Sequence, residues 1–260
     1  MMGTAEATLA DICVVAAAES WRGDGEIFAS GMGTIPTLGA RLARASFEPD
    51  LLVSDGEAFF IANDLRLGGG QDEKIVEGWI PFRQVFDTLW GGRRHVMMGA
   101  TQIDRNGNQN IACIGPWERP KAQLLGVRGA PGNTANHATS YWIPNHGTRV
   151  FVENVDVVSG IGYVRAAAAG AWVAAHHEIR RVVTNLAVLD FESEGRVMRL
   201  RSVHPGVTVA QVQEATGFEL ALPEGGAAAV PESRPPTQEE MRLLDEVLDP
   251  HGLRRAEVKG

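Results

Sequence analysis

A short polar segment at the end of a predicted strand carries residue types that acid–base chemistry uses. Ser54-Asp-Gly-Glu57 follows an apolar run that predicts a buried strand over 51–53. Sites in α/β proteins usually form where parallel strands end, so the Asp55 or Glu57 carboxylate could act there as a general base. Glu57 supplies a second carboxylate, and Gly56 leaves room for a ligand. The alternative is an ordinary turn held by Asx hydrogen bonds.

The loop from Gly31 to Pro36 is a second candidate site. It joins a predicted strand, Glu26–Ser30, to a predicted helix. Backbone N–H groups at such a junction can hold an oxyanion or a phosphate. The segment is not a dinucleotide-binding fingerprint, because Pro36 stands in place of the third glycine. The alternative is a tight turn in which Gly31 and Gly33 serve only the backbone.

A third candidate is the glycine-rich segment from Gly126 to Asn133. Close approach of a ligand to the backbone explains such a density of glycine, including Gly129. Arg128 in its middle could neutralise a carboxylate or a phosphate. The local sequence is equally compatible with a flexible surface loop.

The elements around these segments alternate between strand and helix. This order predicts an α/β fold of three layers, α/β/α, with a mostly parallel central sheet. Strands are predicted over 26–30, 51–53, 95–99, 149–155, 182–190 and 196–202, and helices over 5–20, 37–45, 79–90 and 209–216.

Composition divides the 260 residues into a body and a tail. Residues 1–222 form the predicted α/β domain, and 223–236, rich in Pro, Gly, Ala and Ser, form a predicted linker. Residues 237–260 form a predicted helical tail that begins with the capping box Thr237-Gln-Glu-Glu240. Its apolar stripe predicts docking on the body or on a partner subunit.

The gross composition excludes several classes of protein. The net charge of −8 argues against a nucleic-acid partner, whose phosphates require a basic surface. The two cysteines, Cys13 and Cys113, form no CxxC pair, so no disulfide framework or metal site is expected and a reducing cytoplasm fits. No apolar run approaches the roughly 20 residues needed to span a bilayer.

Several segments together resemble the β subunits of class I CoA-transferases of the glutaconate type. The segment Gly31–Leu38 is similar to the family's G-x-G-x-P-T-L loop, with one extra residue before Pro36. The other matches, which follow in the family's order over about residues 25–220, are Ser54-Asp-Gly56, Gly99-Ala-Thr-Gln-Ile-Asp-Arg-Asn-Gly-Asn-Gln-Asn110, Gly126–Gly132, and His204-Pro-Gly-Val-Thr208 with Thr216-Gly-Phe218.

The resemblance implies acyl-CoA chemistry without CoA transfer. The family's nucleophile is a Glu, and Ser54 holds its position here. Within the family the chain resembles the β subunit of actinobacterial steroid ring-cleaving hydrolases. That resemblance implies hydrolytic C–C cleavage of a late steroid CoA thioester, no cofactor beyond that CoA, and an α subunit in an α₂β₂ complex. The main catalytic carboxylate is then expected from the α subunit.

The resemblance also distributes roles among residues of this chain. Ser54 and Asp55 become the catalytic candidates. Substrate and CoA contacts are expected from Gly31, Gly33, Gly56, Gly99, Gln102, Gly126, Arg128, Gly129 and Asn133.

Two other functions remain open at the level of sequence. The chain could be a CoA-transferase β subunit that uses Asp55 or Glu57 as a displaced nucleophile. It could also be a structural subunit that only stabilises its partner.

Overall fold

The computed structural model describes residues 7–258. Within this range the helices are α1 (Leu9–Ala18), α2 (Thr34–Ser46), α3 (Phe82–Trp90), α4 (Ala130–Asn136), α5 (Tyr163–Ala168), α6 (Ala171–His176), α7 (Val209–Glu214), α8 (Gln238–Arg242) and α9 (Arg254–Glu257). The strands are β1 (Phe28–Gly31), β2 (Phe59–Ile61), β3 (Val76–Trp79), β4 (Arg94–Met98), β5 (Gln102–Ile103), β6 (Gln109–Asn110), β7 (Cys113–Ile114), β8 (Ala122–Gln123), β9 (Ala138–Ile143), β10 (Glu178–Thr184), β11 (Ala187–Asp190) and β12 (Arg199–Val203).

A six-stranded sheet forms the centre of the molecule. Its order is β1-β4-β9-β10-β11-β12. The first four strands run parallel, while β11 and β12 are antiparallel to their neighbours. The predicted α/β fold with a mostly parallel sheet is therefore confirmed. The pairs β2–β3, β5–β6 and β7–β8 are separate hairpins.

Two hydrophobic clusters cover the two faces of this sheet. Successive residues of a strand point to opposite faces, and Met97 and Trp142 accordingly pack with α1, α2 and the C-terminal segment. Their neighbours Met98 and Tyr141 pack in the other cluster, which includes residues of α4 and α7. The sheet is thus the middle of three layers. None of the helices within 7–258 has the length and apolar character that crossing a bilayer requires.

Two predicted elements are divided differently in the structure. The helix expected over 79–90 begins only at Phe82, after Pro81, and the preceding Val76–Trp79 pairs with β2 as a strand. The strand expected over 182–190 is a hairpin of β10 and β11. Its turn is held by the Thr184 hydroxyl, which accepts hydrogen bonds of 3.0 Å from the amides of Leu186 and Ala187. The apolar composition on both sides of the turn concealed this break.

Two further differences concern strands. Residues 149–155, expected to form a strand, contribute only an isolated bridge between Phe151 and Ile103. Strand β9 is a central strand that local sequence did not indicate, and it includes Thr139 and Ser140, both fully buried. Ser140 is accommodated because its hydroxyl lies 2.9 Å from His95 Nε2 on β4. A polar strand is stable in the core when such partners exist, and local sequence does not reveal them.

The segment 223–236 lies along the edge of the sheet. The Ser233 amide donates to the Val203 carbonyl at 2.7 Å, and Arg234 forms ion pairs with Glu19 and Glu240. The connection between body and tail is therefore attached over part of its length to β12 and to Glu19, the residue that follows α1.

The C-terminal segment packs into the main core of the same chain. Leu243, Leu244 and Leu248 belong to the cluster that contains α1 and α2. A π-helical turn, Leu243–Leu248, continues α8. Residues 5–6 of the predicted first helix and 259–260 of the predicted tail lie outside the described residues.

Arg254 anchors this segment through buried charges. Its side chain is fully buried, and its guanidinium lies 2.6 Å from Asp11 of α1 and 3.0 Å from Asp249. Asp245 forms a third ion pair with it. Removal of one member of such a cluster leaves the others buried without compensation.

We expect the substitution Arg254→Ala to destabilise the protein by about 3–5 kcal/mol, because two buried carboxylates lose their counter-charge. Urea unfolding measures this change. Arg255→Ala is the matched control, since the neighbouring side chain is 56% exposed and lies 3.7 Å from Asp245. Equal effects of the two substitutions would contradict a buried anchor.

Candidate active site

One edge of the sheet gathers several of the candidate residues. Gly31 ends β1, and Gly99 follows the last residue of β4. Leu52 forms a parallel bridge with Phe28 of β1, so the strand-like segment that leads to Ser54 runs in the same direction. The carboxyl ends of parallel strands are where α/β sites form.

The Asp55 carboxylate is occupied by hydrogen bonds. Its Oδ1 accepts from the amides of Glu57, Ala58 and Phe59 at 2.8–3.2 Å. Its Oδ2 lies 2.8 Å from Lys74 Nζ, and neither side chain is more than 7% exposed. Burial raises the pKa of this carboxyl, but Lys74 and the backbone donors outweigh burial and hold the pKa below its usual value.

Ser54 lies at the start of this turn. Its Oγ accepts a hydrogen bond of 3.2 Å from the Gly56 amide. Gly56 has φ of +86°, and a Cβ built on it would meet no atom within 4 Å. The turn needs glycine for its backbone conformation, and it leaves open space beside the Ser54 hydroxyl.

A polar cavity of about 500 Å³ opens beside Ser54. Gly31, the turn at Asp55 and the run Gly68–Gly70 contribute to its wall. Arg41 also lines it, is 6% exposed, and donates to the Leu65 carbonyl at 2.8 Å. Burial, together with nearby Arg44, lowers the pKa of Arg41 to about 10, so it remains cationic at neutral pH. The cavity therefore suits an anionic group.

The Gly31–Gly33 loop separates this cavity from a second one. A Cβ at Gly31 would lie 2.4 Å from the backbone carbonyl of Pro36, so no side chain fits there. Gly33 has φ of +114° and precedes the first residue of α2. Gly31 lines the polar cavity, whereas Met32 lines the other. Helix α2 starts at Thr34, three residues earlier than predicted.

A carboxylate from the C-terminal segment lies at the start of α2. Glu257 Oε2 accepts from the Ile35 amide at 3.3 Å, and Oε1 accepts from Trp142 Nε1 at 2.6 Å. A negative charge is favoured at a helix N-terminus, where amides lack intrahelical partners. Glu257 thereby ties the loop at Gly33 to the sheet and to the tail.

The second cavity is mainly apolar and measures about 600 Å³. Met32, Phe86 and Met98 line it, together with Gly99 and the Gly129–Asn133 segment. The ring of Phe82, also in its wall, is 76% exposed. Such an apolar concavity with few polar groups is the usual form of a site for a hydrophobic small molecule.

The glycine-rich candidate segment is partly helical rather than a loop throughout. Helix α4 begins at Ala130, with Gly129 before it and Pro131 near its start, where proline is tolerated. Arg128 precedes the helix with φ of +51°, a conformation that non-glycine residues avoid. Strain of this kind is concentrated at functional sites, and Arg128 lines the apolar cavity.

Arg94 lies in the wall of the apolar cavity, and sequence analysis did not single it out. It is 4% exposed, and it donates to Ser30 Oγ at 2.8 Å and to Asn133 Oδ1 at 3.3 Å. Burial lowers its pKa to about 10. The feature of the sequence that could have identified it is a charged residue at the first position of the buried strand Arg94–Met98.

Three candidates do not line either cavity. Gln102 is buried, and its Oε1 accepts from Asn110 Nδ2 at 2.7 Å and from the Asp156 amide at 3.0 Å. Gly126 has φ of +81°, and Gly33 lies at the helix start described above. The structure therefore brings eight candidates to the two cavities: Gly31, Ser54, Asp55, Gly56, Gly99, Arg128, Gly129 and Asn133.

A Ser–His–Asp arrangement also occurs, but inside the sheet. His95 Nδ1 lies 2.6 Å from Asp24 Oδ2, and His95 Nε2 lies 2.9 Å from Ser140 Oγ. His95 and Ser140 are fully buried, so a substrate cannot reach the hydroxyl. The arrangement joins β4 to β9 as a polar contact of the core.

The fold and the two cavities agree with membership of one enzyme family. The sequence model of the Coenzyme A transferase family matches residues 83–215. The chain belongs to this family. The resemblance to CoA-transferase β subunits is thus confirmed.

More specific similarity comes from individual relatives. The chain is 51% identical over 253 residues to the cholesterol ring-cleaving hydrolase IpdB subunit of Rhodococcus jostii (strain RHA1), with 97% of each chain covered. It matches a chain of the crystal structure of Rhodococcus jostii RHA1 IpdAB with a TM-score of 0.92 at 50% identity, covering 98% of this chain and all of the other. Glutaconate coenzyme A-transferase from Acidaminococcus fermentans shares the fold, with a TM-score of 0.78 at 20% identity over 97% and 98% of the chains.

We expect Glu257→Ala to lower the free energy of unfolding by about 1–3 kcal/mol, since two hydrogen bonds to a carboxylate are lost at a helix N-terminus. Urea unfolding followed by tryptophan fluorescence measures the change. Glu246→Ala is the control, because that side chain lies in the same segment and is 67% exposed. A loss no greater than that of the control would show that Glu257 does not hold the loop.

Proposed function

We propose that the chain is the β subunit of a hydrolase that cleaves a C–C bond in the ring of a late cholesterol catabolite, carried as a CoA thioester. This proposal rests on the two residues at the end of the strand-like segment, Ser54 and Asp55. The family's nucleophilic Glu is absent, and the adjacent Asp55 carboxylate is occupied by Lys74 and three amides. The ring-cleaving hydrolase subunit of Rhodococcus jostii supports the reaction type.

The same geometry argues against CoA transfer by this chain. Transfer requires a carboxylate that attacks the thioester and becomes a glutamyl-type thioester. Asp55 would first have to lose its hydrogen bonds, which lower its pKa and its nucleophilicity. Glu57 is 68% exposed and lies 3.8 Å from Lys74, at the outer rim of the polar cavity. A nucleophile in open water lacks the exclusion of solvent that acyl transfer needs.

The two cavities suit the two parts of an acyl-CoA. The apolar cavity at Met32 and Met98 accepts a hydrophobic ring fragment, and the polar cavity at Arg41 accepts anionic groups of CoA. The Gly31–Gly33 backbone lies between them, and the junction of acyl group and thioester is proposed to lie beside this loop. Arg128 then faces the acyl side.

The proposed reaction needs water, a base and stabilised oxyanions, and no cofactor beyond the CoA of the substrate. A base removes a proton from water as the water oxygen bonds to a ring carbonyl carbon. The tetrahedral oxyanion collapses, the C–C bond breaks, and its electron pair becomes an enolate that is then protonated at carbon. Backbone N–H groups of the loops at Gly31 and Gly99 are proposed to stabilise these oxyanions.

The base is proposed to come from a CoA-transferase-like α subunit, in an α₂β₂ complex. Of the two carboxylates in the Ser54–Glu57 turn, Asp55 is already hydrogen-bonded and Glu57 is exposed, so neither is a buried free base. The crystal structure of Rhodococcus jostii IpdAB contains a chain similar to this one, which supports a second subunit. In this arrangement Ser54 and Gly56 shape the site, and Asp55 positions the turn through Lys74 and the backbone.

An isotope experiment separates hydrolysis from transfer. The complex of this chain with its α subunit is given the bicyclic steroid-derived CoA thioester in ¹⁸O water, and products are followed by mass spectrometry. We expect a ring-opened CoA product with one ¹⁸O atom in a new carboxylate, because water supplies that oxygen.

Transfer would give a different pattern. An intact ring, with CoA moved to added succinate or acetate, would overturn the proposal. Borohydride reduction of an enzyme–CoA thioester on Asp55 or Glu57 would identify the displaced nucleophile.

We expect the Asp55→Asn complex to keep the wild-type turnover rate within about fivefold, because a positioning residue takes no part in the proton transfer. Loss of a general base, by contrast, costs about 10²–10⁴-fold. Asn keeps an oxygen for the three amides but leaves Lys74 with only the exposed Glu57 carboxylate, 3.8 Å away. Asp55→Ala, which also removes that oxygen, should unfold more readily. If the folded Asp55→Asn complex instead turns over about a hundredfold more slowly than the wild type, or slower still, Asp55 has a catalytic role.

A further inference from the structure

Arg94 is a buried cation that lacks an anionic partner among the described residues. Its guanidinium carries five N–H donors, and the structure shows two hydrogen bonds, both to neutral oxygens. Its Nε is buried and has no hydrogen-bond partner within residues 7–258. By contrast, buried Arg254 contacts three carboxylates. Burial of a charge without compensation is costly, and a bound anion would supply the missing compensation.

Among the described residues, the surroundings of Arg94 supply an aromatic ring and a neutral histidine rather than an anion. The ring of Phe28 lies 5.6 Å from its guanidinium carbon, a cation–π contact that offsets only part of the cost of burial. His137, the residue before β9, is 2% exposed, and burial together with the Arg94 charge lowers the His137 pKa to about 4. His137 is therefore neutral at pH 7, and the apolar cavity carries the charges of Arg94 and Arg128.

The position of Arg94 connects two candidate segments. Ser30 precedes Gly31, and Asn133 lies in α4, so the two hydrogen bonds of Arg94 join the Gly31–Gly33 loop to the glycine-rich segment. The bond to Asn133 is long at 3.3 Å, and a carboxylate is a stronger acceptor than an amide oxygen. An arriving anion can replace it.

We propose that Arg94 binds a carboxylate carried by the ring fragment of the substrate, separate from the thioester. This inference rests on the assignment of the apolar cavity to the acyl group. The cavity then selects an apolar ring that bears an anionic group rather than a neutral one. The carboxylate is either present on the substrate or newly formed by hydrolysis, and the chemistry of binding is the same.

Binding of two small probes tests the site without turnover. Cyclohexanecarboxylate and cyclohexanecarboxamide share a ring and differ in charge. Their dissociation constants are measured on the intact complex by isothermal titration. We expect the wild-type complex to prefer the carboxylate by about tenfold to a hundredfold, as for a charge-assisted hydrogen bond. The Arg94→Met complex should lose this preference and bind the amide at least as well.

Two further variants make the test specific. Arg181→Met is the control, because Arg181 lies on β10, is 18% exposed and is paired with Glu192 at 3.0 Å. It should retain the wild-type preference. Arg94→Lys keeps a charge without the planar fork and should reduce the preference, which gives a readout if Arg94→Met fails to assemble.

Equal binding of both probes by the wild type, no binding of either, or an unchanged preference in Arg94→Met would each overturn the proposal. Because the probes contain no thioester, these results do not depend on ring cleavage. An intact probe preference with no ring cleavage would count against the proposed function alone.

Kinetics with the bicyclic CoA thioester then identify the source of the carboxylate. A KM raised about tenfold or more in Arg94→Met, with kcat little changed, indicates a carboxylate on the substrate. An unchanged KM with weaker product inhibition indicates the carboxylate that hydrolysis creates. If neither KM nor product inhibition changes in Arg94→Met, the proposed role of Arg94 is overturned.

Discussion

The close approach between the end of β1 and the start of α2 is the constraint on which the rest of the site depends. Gly31 faces the Pro36 backbone at a distance that excludes any Cβ, and Gly33 adopts a positive φ just before the helix. This contact fixes a short loop between two cavities of different polarity. The same helix start receives Glu257 from the far end of the chain, so the tail supports the site through a carboxylate.

Buried charges in this molecule are of two kinds, and the difference is informative. Arg254 and the Asp55–Lys74 pair are compensated within the chain, and they hold a tail and a turn in place. Arg94 is equally buried but faces neutral groups. Charges that are paired within the chain stabilise the fold, because removing one partner leaves the other buried and lowers the free energy of unfolding. A charge left without an anion lowers the stability of the empty protein, and it gains its partner when a ligand binds.

The fold class could be predicted from the sequence, and so could the positions of the candidate segments relative to the sheet. Strand and helix alternate over the first hundred residues, and the segments at Gly31, Ser54 and Gly99 do lie at the carboxyl edge of the sheet. Local pattern failed where long-range partners decide the conformation. Ser140 makes β9 look polar, yet His95 accommodates it, and the Thr184 turn divides one apolar run into two strands. Local sequence also did not indicate that Gln102 accepts hydrogen bonds from Asn110 and from the Asp156 amide.

The sequence by itself determined the family, through motifs that recur in order, and it determined that Ser54 replaces the nucleophilic Glu. It also determined the glycines that the loops require, because their backbone conformations or close contacts exclude side chains. Only the tertiary structure decided that Asp55 is occupied by Lys74 and that, among residues 7–258, no carboxylate pairs with the buried Arg94. Both depend on which distant side chains share a low-dielectric interior, and the energy of a charge there is set by those neighbours rather than by adjacent residues.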